Sequence, residues 1–333
     1  MSLNESIRVK LKESASKVDV FMEEILKPRR PKSLYDAANY IIDAGGKRLR
    51  PYLVLRSCKL VGGDEDDAVP FAAALEMLHN FTLIHDDIMD NDDLRRGAPT
   101  VHAKWGLPIA IASGDLLFAK VYEAMTNALV ELPCDRIKAC IERVTEATLA
   151  ICEGQVLDVS FPHISDVSEE DYYLMVGEKT AALFKACSEV GAIVGGGSKN
   201  KIEQLGSYGW NAGIAFQIVD DYLGVTSDEE TLGKPVGSDL REGKKTLIII
   251  HALEHASPKE REIIDRVLGV KNADPGDIQA AHDILRRIGS LGYSLEAARR
   301  YGEEAKKSLD NFPDSDAKRG LLELVDYFME RTY

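Results

Sequence analysis

Two aspartate clusters combine residue type and spacing in a way that could do chemistry. In Leu83-Ile-His-Asp-Asp-Ile-Met-Asp-Asn-Asp-Asp-Leu-Arg-Arg-Gly97, Asp86 and Asp90 stand four residues apart. On a helix that spacing puts both carboxylates on one face, about one turn from each other, where together they can bridge a hard cation. Magnesium suits such a pair, because it prefers oxygen and commonly joins one or two carboxylates to substrate phosphates. Arg95 and Arg96 follow the acids directly, and paired guanidinium groups suit bidentate contact with phosphate oxygens. Alone, the D-D-x-x-D pattern is equally compatible with an exposed acidic helix end. A second pair, Asp220-Asp221, lies in Phe216-Gln-Ile-Val-Asp-Asp-Tyr-Leu-Gly224, at the end of an apolar run from Trp210. Two such helices facing one another would line a site for several metals.

These acids need helices to present them. Ala72 to Ile84 is almost wholly apolar, so the helix of the first motif is expected to leave the core and bring its acids to one end of a cavity. Buried carboxylates there would be costly without a compensating cation or basic group. Apolar residues recur at intervals of three and four along most of the chain, for example Leu75, Leu78, Phe81 and Thr82, with no sustained alternation. The pattern predicts an all-α fold. Breaks at Lys27–Lys32, Val61–Pro70, Gly97-Ala-Pro, Phe161-Pro-His, Gly195-Gly-Gly-Ser and Asp274-Pro-Gly read as interhelical loops. None is long enough for a domain linker, so residues 1–333 are expected to form a single domain. The acidic run Asp64–Asp67 reads as a solvated loop without function. Ser294–Tyr333 has helical spacing, with Glu303 and Lys307 at i,i+4, and predicts terminal helices packed on the body.

Composition excludes some classes of function. With 45% hydrophobic and 29% charged residues the chain is expected to bury a core. A net charge of −14 argues against a nucleic-acid partner, which needs a positive surface. It leaves phosphorylated small molecules open, because a few local bases or carboxylate-bridged metals can hold them. The five cysteines, Cys58, Cys134, Cys140, Cys152 and Cys187, form no C-x-x-C pair and are odd in number. Reduced thiols in a cytoplasmic protein are the simpler reading. Met1–Asp19 shows alternating charge and no apolar signal core, and no stretch has the length to span a bilayer, so a soluble protein without a transmembrane segment is expected.

Several further segments fall beside the two acidic motifs: Gly45-Gly-Lys-Arg-Leu-Arg-Pro51, His79, Lys179-Thr180, Phe216-Gln-x-x-Asp-Asp221, Gly233-Lys-Pro-x-Gly-Ser-Asp239 and Gly243-Lys-Lys-Thr246. Singly they are weak, since His79 or His85 in an apolar helix is more often a core histidine and Gly45–Pro51 could be a basic turn. Together, and in this order, they resemble the trans-isoprenyl diphosphate synthase (polyprenyl synthetase) family over nearly the whole chain. The resemblance implies an isoprenoid synthase-type all-α bundle around a deep central cavity, usually as a homodimer. It implies that Asp86 and Asp90 bind two magnesium ions and that Asp220, supported by Asp221, binds a third, with the allylic diphosphate bridging them. Arg95, Lys179, Lys234 and Lys244 would neutralise that diphosphate, and Lys47, Arg50, His79 and Arg96 would hold isopentenyl diphosphate. Thr180 and Gln217 would direct oxygen dipoles at the developing allylic cation.

Such chemistry needs no protein nucleophile. Ionising an allylic C–O bond is helped by positive charge placed on the pyrophosphate leaving group. The isopentenyl double bond then attacks the cation, a proton is lost with pyrophosphate the expected base, and apolar walls keep water away. One departure from the family pattern is Gly224, which stands where a third acid is usual; weaker support for one magnesium is expected, not loss of activity. Phe81 lies five residues before Asp86, and the small Thr82 four before it. That combination resembles archaeal-type geranylgeranyl diphosphate synthases, in which one aromatic floor stops chain growth near C20, with C15 and C25 as the neighbouring lengths. Two alternatives are a class I terpene cyclase, opposed by Lys47, Arg50 and Arg96, and a non-catalytic subunit of a heteromeric synthase, opposed by the intact aspartates with Lys179 and Lys244.

Overall fold

In the computed structural model, residues 3–128, 132–226 and 238–330 are described, and most of them are helical. Helices α1 (Leu3–Ile25), α2 (Lys32–Asp43), α3 (Leu49–Val61) and α4 (Glu65–Asp90) are followed by the strands β1 (Leu94–Arg95) and β2 (Ala98–Pro99). Then come α5 (Val101–Trp105), α6 (Leu107–Asn127), α7 (Cys134–Ser160), α8 (Glu169–Val176), a π-helical turn at Gly177–Ala181, α9 (Ala182–Val194) and α10 (Lys199–Thr226). The chain continues through α11 (Ser238–Glu242), α12 (Leu247–His255), α13 (Pro258–Asp265), α14 (Pro275–Ile288), α15 (Ser290–Lys307) and α16 (Asp316–Glu330). The all-α expectation holds; the one strand pair among the described residues is two residues long on each side. No helix among the described residues is long and apolar enough to cross a membrane.

Two compact units make up the chain, each discontinuous in sequence. The first comprises Met1–Ala147, Leu183–Gly209 and Ser308–Leu324; the second comprises Thr148–Ala182, Trp210–Lys307 and Val325–Tyr333.

In the first unit α4 is the central element. Phe71 through Leu78 are all buried, the mark of a helix covered on every side, and the successive alanines Ala72, Ala73 and Ala74 let its neighbours approach closely. Helices α1, α3 and α6 pack on it. Its N-terminus corrects one expectation. The run Asp64–Asp67 is a helix start: the Asp64 carboxylate accepts the backbone N–H of Asp66 at 3.1 Å, and Glu65, Asp66 and Asp67 occupy the first turn. The helix dipole and the unpaired first-turn N–H groups favour acids there. At its other end α4 stops at Asn91, which is left-handed at φ 57°.

In the second unit, Phe161, Tyr172, Val176, Ile214, Ile218 and Leu247 belong to one buried apolar cluster. Helix α12 packs against α8, α14 and α15. Ser168 and Asp171 form a capping box that fixes the start of α8, and that helix runs straight into the π turn carrying Lys179 and Thr180.

Candidate active site

At the end of α4 in the first unit, the three acids of the D-D-x-x-D run differ in burial. Asp87 is buried and accepts from the Arg95 guanidinium at 2.7 Å. Burial pushes the Asp87 carboxyl up; the same carboxylate outweighs burial at Arg95 and holds that guanidinium firmly protonated. Asp86 is half-buried and Asp90 exposed. Arg95 is thus anchored through Asp87.

Arg95 and Arg96 reach this position on a β-hairpin. Leu94 pairs with Pro99 and Arg95 with Ala98, and the two turn residues Arg96 and Gly97 have φ 53° and 76°, the geometry of a two-residue hairpin turn that keeps the strand twist. The Arg96 guanidinium donates to the Gly45 carbonyl, joining the hairpin to the basic Gly45–Pro51 loop. That loop is pinned by Arg48. Its buried side chain donates to Glu76 at 2.8 Å, to Asp19 at 2.9 Å and to the Ile42 carbonyl at 2.9 Å, while its backbone is left-handed at φ 49°. With Arg48 facing inward, Lys47 is exposed and Arg50 lies over the Phe184 ring at 5.1 Å. His79 on α4 sits within the field of Arg50, Arg96, Arg95 and Arg48; burial first, and these cations next, hold its imidazole well below the ordinary histidine range. His79 is thus a neutral imidazole near Arg50, Arg95 and Arg96, while Arg48 is committed to Glu76 and Asp19. Two residues further along α4, Phe81 meets His85 edge to face (4.7 Å) and Phe118 of α6 at a tilt (5.2 Å), and Phe118 meets Tyr122 edge to face (5.5 Å). Thr82 turns its hydroxyl back to the His79 carbonyl at 2.8 Å.

In the second unit Asp158, Lys179, Thr180, Gln217, Asp221 and Lys244 line one pocket of about 70 Å³. Helix α7 approaches the π turn so closely at Gly154 that a Cβ there would collide with the backbone of Glu178 and Lys179. One turn later, Asp158 takes the Lys179 ammonium as an ion pair. Across the pocket the Thr180 hydroxyl donates to Gln217 Oε1 at 2.9 Å, and Gln217 Nε2 donates to Asp221 Oδ1 at 2.8 Å. The buried Tyr172 hydroxyl donates to Asp221 Oδ2 at 2.7 Å. Lys244 is ion-paired with Glu242 at 2.9 Å, and Asp220 is exposed. Lys234 lies outside the described residues.

Each unit thus gathers its own share of the expected residues: Lys47, Arg50, His79, Phe81, Thr82, Asp86, Asp90, Arg95 and Arg96 in the first, Lys179, Thr180, Gln217, Asp220, Asp221 and Lys244 in the second. Three side chains that hold expected site residues or their loop in place are not singled out by any motif in the sequence: Arg48, Asp158 and Tyr172. Asp158 had a readable signal, since Gly154 and Asp158 are four apart on α7; Tyr172 had none. The donor set fits magnesium. Asp86, Asp90 and Asp220 offer hard oxygen at helix ends with access to solvent, and magnesium keeps several water or phosphate oxygens in its shell instead of requiring an all-protein cage. Among the described residues no three acidic, imidazole or thiol side chains come together as a metal site.

A profile of the Polyprenyl synthetase family matches residues 31–285. Geranylgeranyl diphosphate synthase of Sulfolobus acidocaldarius is 46% identical over 277 residues, 83% of this chain and 84% of that protein. Among solved structures, geranylgeranyl pyrophosphate synthetase from Pyrococcus horikoshii Ot3 matches with TM-score 0.92 and 42% identity, over 98% of this chain and 99% of that one. A polyprenyl synthase from Caulobacter crescentus CB15, solved with calcium and isoprenyl diphosphate, matches with TM-score 0.89 and 34% identity, over 99% of this chain and 98% of that one. The chain belongs to the polyprenyl synthetase family, and the expectation of a short-chain prenyl diphosphate synthase stands.

Proposed function

We propose that this protein condenses isopentenyl diphosphate with allylic diphosphates, head to tail, to geranylgeranyl diphosphate (C20), with magnesium as its metal. The observation that supports this most is the pairing of two phosphate-suited basic sets with helix-end carboxylates, in a chain 46% identical to a geranylgeranyl diphosphate synthase.

Asp86 and Asp90, and Asp220 with Asp221, are the residues that would hold magnesium, three ions in all when substrate is bound. Bound there, the metal supplies positive charge to a diphosphate leaving group. The protein's own groups add to that charge and direct the rest of the reaction. Arg95, fixed by Asp87, and Lys179, fixed by Asp158, present cations whose orientation is set in advance, so little reorganisation is needed when charge develops on the leaving group. Lys244 and Lys234 complete the allylic diphosphate set. Lys47, Arg50, Arg96 and the neutral His79 orient isopentenyl diphosphate, with His79 donating a hydrogen bond without adding charge. The Thr180 hydroxyl donates its hydrogen bond to Gln217, which leaves its oxygen lone pairs to face an electron-poor allyl carbon.

Phe81, backed by Phe118 and Tyr122, serves as the floor that limits the chain, beside the small Thr82. We read residues 1–333 as one functional domain, since both units are discontinuous in sequence. A homodimer is part of the reading, and it accords with the exposed apolar residues Leu149, Val156 and Val159 along α7. All five cysteines are thiols, which suits a cytoplasmic protein.

The test is pyrophosphate release from isopentenyl diphosphate and an allylic diphosphate during magnesium titration. Turnover that rises with magnesium and is lost in Asp86→Asn and Asp220→Asn is expected. No turnover at any magnesium concentration contradicts the proposal, and a product formed without isopentenyl diphosphate would identify a cyclase instead.

A further inference from the structure

The position of the missing third acid leaves a question about the second motif. Gly224 has no side chain, so the acid one turn beyond Asp220 that would add negative charge is absent, and the orientation of the remaining carboxylates matters more. Asp221 is gripped at both oxygens. Tyr172 donates to Oδ2 at 2.7 Å and Gln217 Nε2 donates to Oδ1 at 2.8 Å. The side-chain amide cannot turn over freely, because its Oε1 accepts the Thr180 hydroxyl at 2.9 Å. The direction of donation is therefore set along the whole chain, from Thr180 to Gln217 to Asp221, with Tyr172 closing it from the other side.

Tyr172 suits that duty for reasons of packing. Its ring is fully buried in the apolar cluster with Val176, Ile214 and Ile218, and it meets Tyr173 edge to face at 5.6 Å. A ring held this way gives its hydroxyl one direction. The bond also spans two elements, α8 and α10, parallel to the Thr180–Gln217 bond between the π turn and α10.

We propose that Tyr172 is a positioning residue for the second aspartate motif, holding the Asp221 carboxylate, together with Gln217, in the orientation in which it supports magnesium. This inference rests on the magnesium-dependent reading above. Groups that orient a metal-supporting carboxylate typically change metal affinity by about 10–100-fold when removed, because magnesium tolerates little departure from its preferred geometry.

The test is Tyr172→Phe, which removes one oxygen and keeps the ring. Three quantities are compared with the unaltered protein: half-saturating magnesium for turnover, affinity for inorganic pyrophosphate with magnesium by calorimetry, and KM for isopentenyl diphosphate. The expected result is a rise of about tenfold in half-saturating magnesium and a matching loss of pyrophosphate affinity, with KM for isopentenyl diphosphate within about twofold. Identical magnesium and pyrophosphate titrations overturn the proposal. So does a uniform weakening of all three quantities, which would mark a purely structural tyrosine. Asp221→Asn is the second variant: alone it should raise half-saturating magnesium at least as much, and Tyr172→Phe added to it should then change little. An unchanged magnesium titration in Asp221→Asn overturns the proposal even if Tyr172→Phe fails to fold. Failure of the underlying reading looks different, because the unaltered protein itself would then show no magnesium-dependent turnover.

Discussion

Phe81, Arg48 and His79 illustrate three ways in which one side chain sets a property of this protein. Phe81 closes an aromatic column with Phe118 and Tyr122, so Phe81→Ala opens space next to α4; products longer than those of the unaltered chain are expected on chromatography, and an unchanged product would remove Phe81 from the role. Arg48 neutralises Glu76 in a buried pair. Arg48→Ala would strand that carboxylate, and a loss of about 3–5 kcal/mol in unfolding free energy is expected by denaturant titration. His79 is kept neutral by burial and by the surrounding guanidinium groups. Above about pH 6.5 it is neutral in both the folded and unfolded chain. Below that value the unfolded chain takes up a proton that the folded site refuses, so stability falls with pH until the depressed folded value is reached. Replacing His79 with Gln should make the loss of stability between about pH 6.5 and 5 shallower; an unchanged slope would place the imidazole in a solvated setting.

At the scale of elements, α7, the π turn and α10 are held together by a few contacts. Gly154 allows the contact, Asp158 orients Lys179, and the Thr180–Gln217 and Tyr172–Asp221 bonds join the second motif to it. Gly154→Ala would push the π turn away, with an expected cost on the order of 1–3 kcal/mol and a fall in kcat as Lys179 loses its place. Wild-type kcat in that variant would contradict the close contact. The helices that present the acids were legible from apolar spacing alone, and so was the common face of Asp86 and Asp90. The inward turn of Asp87 to Arg95 was not, because a run of acids does not reveal which one meets a base. Arg48 and Tyr172 were hidden for a related reason. Glu76 lies 28 residues from Arg48, and Asp221 lies 49 from Tyr172, so only the folded chain brings them together. The π turn is a slip in the local hydrogen-bond pattern without a distinct composition, and Asp64–Asp67 reads as a loop until the N-terminal dipole of α4 is known.

For the whole molecule, the all-α class and the family were readable because separated motifs agree in order, and the match of residues 31–285 to the family profile accords with that. The division into two compact units could not be read, since each is assembled from three separate segments and no linker composition marks the crossings. What the molecule does with its two basic sets and its helix-end carboxylates is tested most directly by one measurement: incubation with isopentenyl diphosphate, magnesium and, in turn, the C5, C10 and C15 allylic diphosphates, followed by sizing of the dephosphorylated products. The account predicts elongation of the accepted primers to a main product of C20. A cyclised terpene, or no elongation of any primer, would contradict it.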